Sequence, residues 1–233
     1  MKRRDFMMTG LCAVMYGCES AQRSSTLPNM GGVWPDVNHR PSGSRSRTVP
    51  SQPEPSQPPV ATSGSVTPIS RSRWAGAGPN RGNINLMNGV NRITVHHEGM
   101  PEAVHFTDYA TTRARMEMIR QSHRRRGWAD IGYHYVIDRA GRVWEGRPIT
   151  YQGAHVRDNN EHNIGVMCMG NFDIQQPSNA QLQALAATVQ HLRRYYRVSE
   201  HAIKTHQEIN PTACPGRNLQ PRVASMRSQH MFA

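Results

Sequence analysis

His206 and Cys214 stand eight positions apart on a loop that Pro211 and Pro215 stiffen. An imidazole and a thiolate at that spacing can close around one metal ion. His96 is a third side chain of ligand type, placed directly after the apolar run Ile93-Thr94-Val95. Catalytic zinc sites commonly take three protein ligands of these kinds and leave the fourth position to water. Zinc lowers the pKa of that water towards about 7 and polarises a carbonyl, so the chemistry open to such a trio is hydrolysis. The residues alone leave other readings open. No spacing brings His96 to His206, and a lone histidine after a strand is commonly structural. Neither C-x-x-C nor H-E-x-x-H occurs among the four cysteines and twelve histidines, which excludes the commonest helical zinc-protease pattern.

Side chains so far apart in sequence need rigid elements to hold them. Ile93 to Val95 reads as a short buried strand. Phe106 to Arg126 reads as a helix, with Ala114, Met118 and Ser122 at helical spacing, Met116 and Ile119 nearby, and Gly127 as its stop,. Tyr133 to Asp138 and Val143 to Glu145 form two strands joined by the hairpin signal Arg139-Ala140-Gly141-Arg142,. Ile164 to Met169 suits a central strand. Ser178-Asn179-Ala180-Gln181 is a capping box that opens a helix with Leu182, Leu185, Ala186, Val189 and Leu192 on one face,. Strands interleaved with helices predict an α/β fold, a single central sheet flanked by helices. Within it, His123 and His134 read as packing residues or as supports behind the site, and Cys168 as a buried small hydrophobe. Glu98 and Glu208 are the carboxylates near the candidate ligands, able to serve as base or to orient a histidine.

The rest of the chain reads as address and tether. Residues 1–18 carry a basic start, Lys2-Arg3-Arg4, and an apolar run from Phe6 to Gly17 too short for a bilayer, which needs about 20 residues,. Arg3-Arg4-Asp5-Phe6-Met7 resembles a twin-arginine export signal. Tyr16-Gly17-Cys18 resembles the end of a lipoprotein cleavage box, which would make Cys18 a lipidated membrane anchor. The expectation is an exported protein of the periplasm or cell envelope. Residues 19–75, rich in Ser, Pro and Gly, have few apolar groups to offset chain entropy and read as a disordered linker; residues 76–233 form the folded domain. A net charge of +12 favours a polyanionic partner,. No nucleic-acid-binding motif accompanies it, so no nucleic acid is expected. A monomer is expected.

Four motifs, in order, carry a resemblance: Ile93-Thr94-Val95-His96-His97; Gly127-Trp128-Ala129-Asp130-Ile131-Gly132-Tyr133-His134-Tyr135; Asn163-Ile164-Gly165-Val166; and His206-Gln207-Glu208-Ile209-Asn210-Pro211-Thr212-Ala213-Cys214-Pro215. Together with Gly153-Ala154-His155 and Gly170-Asn171-Phe172 they make the stretch from Arg92 to Leu219 similar to the peptidoglycan recognition protein and phage-lysozyme amidase family. The resemblance implies that family's mixed sheet. It also implies Zn2+ on His96, His206 and Cys214, and hydrolysis of the amide between N-acetylmuramic acid and L-alanine of peptidoglycan or muropeptides. By the same resemblance Tyr133 and Thr212 are catalytic, Asp130 fixes the Tyr133 loop, His155 and Asn160 bind substrate, and His97, next to the ligand His96, either supports the metal site or lines the substrate groove. Thr212 stands where phage members carry lysine. The strand Met167-Cys168-Met169 lacks the glutamate of some bacterial relatives. The alternative is a recognition protein that binds peptidoglycan without cutting it; such members typically lack the metal cysteine, which is present here. A glycosidase is disfavoured, since no placed pair of carboxylates is seen.

Overall fold

The computed structural model describes residues 66–233. The export signal, Cys18 and the linker up to residue 65 lie outside the described residues.

Five strands form one sheet in the order β3-β2-β4-β1-β5. They are β1 (Arg92–His97), β2 (Tyr135–Ile137), β3 (Val143–Glu145), β4 (Asn163–Cys168) and β5 (Ile203–Thr205). β2, β4, β1 and β5 run parallel, and β3 is antiparallel to β2, so the sheet is mixed. Three α-helices flank it: α1 (Tyr109–Arg125), α2 (Asn179–Tyr196) and α3 (Gln220–Ser228). Strand side chains alternate between the faces. Ile93, Val95, Ile164, Val166 and Cys168 pack against α2 and α3 through Leu185, Val189, Leu192, Val223 and Met226. On the opposite face Val136, Met167 and Met169 meet Met116 and Ile119 of α1, with Ile131 and Trp144. Among the described residues, no helix is long and apolar enough to cross a membrane.

Local signals explain most boundaries. Ser178 opens α2 by accepting from Gln181 N, and the Gln181 side chain accepts from Ser178 N, the reciprocal cap that the sequence predicts,. The hairpin between β2 and β3 closes on the buried carboxylate of Asp138. It accepts from the backbone N–H groups of Ala140 and Arg142, from Arg142 Nε at 2.6 Å and from Trp144 Nε1 at 2.8 Å.

Two expectations need correction. The inward face of α1 is Thr112, Met116, Ile119, Arg120 and His123, whereas Ala114 is exposed. The helix starts at the Asp108 cap, and polar groups on its inner face are satisfied: Thr112 Oγ1 donates to Asp108 O, and His123 Nδ1 accepts from Gly132 N. The linker assigned to 19–75 ends earlier, because Ile69 and Trp74 are buried. Ile69 bonds through both backbone groups to the outer edge of β3, donating to Val143 O and accepting from Glu145 N, and Trp74 Nε1 donates to Glu145 O. This segment covers an edge strand that would otherwise present unpaired backbone.

Candidate metal centre and active site

β1 and β5 are adjacent parallel strands, registered with Val95 opposite Thr205. His96 is the next residue along β1, and His206 is the first residue after β5. Register therefore places two imidazoles side by side at the same end of the sheet. The third member arrives on the loop after the short 3-10 turn His206–Glu208. That loop is closed by Gln207 N donating to Cys214 O at 2.8 Å, and by Cys214 N donating to Thr212 Oγ1 at 3.1 Å. Cys214 Sγ lies 3.6 Å from His96 Nδ1 and accepts from His97 N at 3.4 Å.

Among the described residues, His96, His206 and Cys214 form a metal-ligand cluster, with ligand atoms all within 4.8 Å of one another. Around a tetrahedral zinc with Zn–N of about 2.1 Å and Zn–S of about 2.3 Å, neighbouring ligand atoms lie roughly 3.6 Å apart. Cys214 Sγ and His96 Nδ1, 3.6 Å apart, already stand at that spacing, and the three side chains together could hold a metal ion. Burial pushes His96 well below the ordinary imidazole pKa, helped by His155 and His206, and burial also lowers His206. Both rings stay neutral near pH 7, the form a metal ligand requires.

Tyr133 stands beside this group, its ring centroid 5.2 Å from that of His96. It precedes β2 by two residues and is not part of the strand as expected. Arg147, which no sequence motif marks, anchors the Tyr133 loop. Its guanidinium donates to Ile131 O, Gln152 O and Asp130 O, and its own N–H donates to Tyr133 O at 2.8 Å. Burial pushes Arg147 down to about 10. The Asp130 carboxylate pairs with Arg71 at 3.0 Å and ties the N-terminal segment to the same loop.

Three residues expected on the substrate side have other engagements. His155 is only 7% exposed, and its ring lies behind His96, with Nδ1 3.0 Å from His96 Nε2. Asn160 Oδ1 accepts from the N–H groups of His155 and Val156, fixing that loop, although Asn160 also borders an open cleft of about 400 Å³ with Trp128 and Gly153. His97 is buried; its Nδ1 accepts from Phe172 N, and burial pushes it down to about 4 against the opposing charge of Asp173. Glu98 is bound by Arg115 Nε at 2.6 Å, with its pKa raised by burial. Glu208 is held to about 2 by Arg227, and it also accepts from Thr205 N. Neither carboxylate has a hydrogen bond to a ligand histidine. Cys168 is buried and pushed up to about 12, an inert thiol,.

Residues 86–217 match the family described as N-acetylmuramoyl-L-alanine amidase (Amidase_2). The chain is 36% identical over 150 residues to the pig N-acetylmuramoyl-L-alanine amidase, covering 63% of this chain and a quarter of that protein's length. It is 35% identical over 124 residues to the endolysin of enterobacteria phage K11, covering 49% of this chain and 81% of that one. Among solved structures it resembles the Drosophila peptidoglycan recognition protein SD, with TM-score 0.61 and 26% identity, over 67% of this chain and 92% of that one. It also resembles the amidase LysC of Clostridium intestinale, with TM-score 0.55 and 25% identity, over 69% and 98%. The family match over more than half the length and the likeness of fold to these solved structures agree, and the chain belongs to the N-acetylmuramoyl-L-alanine amidase and peptidoglycan recognition protein family.

Proposed function

We propose that this chain is a zinc-dependent amidase that hydrolyses the bond between N-acetylmuramic acid and L-alanine in peptidoglycan or muropeptides. The observation that carries the reading is the meeting of His96, His206 and Cys214 from three separate segments, with ligand atoms within 4.8 Å. These residues would hold the ion. When bound, zinc supplies an acidified water and a Lewis acid for the scissile carbonyl. Two neutral imidazoles and one thiolate leave the centre a net charge near +1, suited to an oxyanion. Tyr133, beside His96, donates a hydrogen bond to the carbonyl oxygen as charge develops there, and one such donor is typically worth about 10²–10³ in rate. Thr212 orients the cysteine loop through Cys214 N and offers a second hydroxyl to the same oxyanion. Glu98 and Glu208, each engaged by an arginine, are not assigned as the base. The cleft bordered by Trp128, Gly153 and Asn160 is the place for the stem peptide or glycan.

The paired arginines Arg3 and Arg4 and the apolar run that follows support export to the periplasm or cell envelope, with Cys18 as the candidate lipid anchor.

Zinc analysis of the purified protein, paired with mass spectrometry of a muropeptide digest, tests the enzymatic reading. Bound zinc and release of free stem peptides are expected. Zinc-loaded protein that binds muropeptides and leaves them intact would replace hydrolysis by recognition.

A further inference from the structure

The rings of His206, His96, His155 and His134 follow one another with centroids 4.8, 5.0 and 5.6 Å apart, leading from the metal centre into the protein. One bond in this series decides its neighbours. Asn163 O can only accept, and it lies 3.1 Å from His155 Nε2, so that nitrogen carries the proton. A neutral imidazole carries one ring proton, so His155 Nδ1 is an acceptor. His96 Nε2, 3.0 Å away, is then its donor. His96 Nδ1 keeps its lone pair, and it is this atom that lies 3.6 Å from Cys214 Sγ.

We infer that His155, backed by the carbonyl of Asn163, is a positioning residue that fixes the ring orientation and tautomer of His96 and so presets the metal centre. The inference rests on the metal-site reading above and goes beyond it, since His155 touches neither the ion nor the reacting atoms.

The surroundings are shaped to hold this one ring. A Cβ built on Gly165 would lie 2.6 Å from His155 Cδ2, and one built on Gly153 would come closer still. Only glycine on both sides leaves a slot for the imidazole. Asn160 Oδ1 holds the backbone of the ring's own loop, at 2.8 Å from His155 N and 2.9 Å from Val156 N. Asn163 is fixed in turn, its Oδ1 accepting from Thr94 Oγ1 at 2.8 Å and its Nδ2 donating to Asn159 O at 2.8 Å. The carbonyl that sets the tautomer thus belongs to a residue with both side-chain polar atoms used. Histidine ligands characteristically donate their second N–H in this way, and losing the acceptor typically reduces metal affinity by about 10–100-fold.

The test compares the full-length wild-type protein with His155→Phe, which keeps a ring in the slot and removes both nitrogens, and with His155→Asn, which returns an acceptor near Nδ1. Zinc affinity is measured by chelator competition. The His96 tautomer is read from long-range ¹H–¹⁵N spectra of the metal-free proteins, and folding is followed by circular dichroism. The expected result is a single Nε2–H tautomer in the wild type, a mixture in the Phe variant with about 10–100-fold weaker zinc binding, and recovery of most of that loss in the Asn variant. Wild-type zinc affinity with an unmixed tautomer in the Phe variant overturns the inference and leaves the enzymatic reading intact. Should the Phe variant fail to fold, an Asn variant as poor in zinc as an acceptor-free His155→Leu protein overturns it equally. Failure of the wild type to bind zinc overturns both.

Discussion

His134 gives the sharpest test of the electrostatics around the site, because its bonding admits only one protonation state. Its Nδ1 accepts from Gly165 N at 2.9 Å and its Nε2 donates to Tyr151 O at 3.0 Å. A second ring proton would face the Gly165 N–H. Burial pushes the group down to about 4, with Arg147 adding to the effect and the Tyr151 carbonyl opposing it. The folded-state value lies below that of the unfolded chain, about 6.5, so the unfolded state takes up the proton first. The contribution to stability is complete above pH 6.5 and is lost as pH falls towards 4. The slope approaches 1.36 kcal/mol per pH unit, so between pH 7 and pH 5 this one group removes about 2 kcal/mol. Other buried histidines add to the total, so the quantity to measure is a difference. His134→Asn keeps an acceptor for Gly165 N and cannot titrate. Urea unfolding of metal-free wild type and variant at pH 7, 6 and 5 should show the wild type losing about 2 kcal/mol more than the variant across that range. Parallel pH profiles would show that His134 takes up its proton in the folded state, and the single-state reasoning would fall.

Three further outcomes are expected. Cys214→Ser should sharply reduce zinc content and abolish muropeptide cleavage while leaving the circular dichroism spectrum unchanged, since Cys214 lies on a loop outside the sheet; full zinc content would remove Cys214 from the centre. Tyr133→Phe should lower kcat and kcat/KM together by roughly 10²-fold with zinc retained, and a change confined to KM would assign Tyr133 to substrate binding. Asp138→Ala strips Arg142 of its buried carboxylate and Trp144 Nε1–H of its acceptor. Breaking a buried pair on one side costs about 3–5 kcal/mol, so the melting temperature should fall by roughly 10 °C for a domain of this size; a drop of only a degree or two would mean that water replaces the carboxylate.

Where pattern and local chemistry coincide, the structure was legible in advance. The apolar run at 164–169 is the central strand β4, the Ser178 capping box opens α2, and Arg139 to Arg142 makes the β2–β3 hairpin. What failed locally failed for a physical reason. The inner face of α1 holds Thr112, Arg120 and His123, polar residues that apolar periodicity passes over and that hydrogen bonds reconcile with burial. Ile69 and Trp74 sit in a stretch whose average composition is that of a linker, and two large side chains anchored on β3 are enough to bring it into the fold. β5 has three residues, too few for a pattern that separates a strand from a loop, and α3 buries only Val223 and Met226 among its nine, too few to mark an apolar face.

The site divides along the same line. Residue types and spacing made His206 with Cys214 only a weak metal signal, and the motif resemblance named all three ligands, but nothing local in the sequence joins His96 to the other two. That step belongs to a non-local fact, the pairing of β1 with β5 in a register that sets Val95 opposite Thr205. Shifting β5 by one residue would turn every side chain after it to the other face, and His206 would leave the cluster while every motif stayed in place. His155 lies one step deeper. Its position in a Gly-Ala-His motif marks it as a site residue, yet whether it meets substrate or supports a ligand depends on which way the ring turns. The Asn163 carbonyl at one end, the His96 nitrogen at the other and the two flanking glycines decide that. The motif therefore names the residues of the centre, while the sheet register and a chain of single-proton hydrogen bonds determine what each of them does.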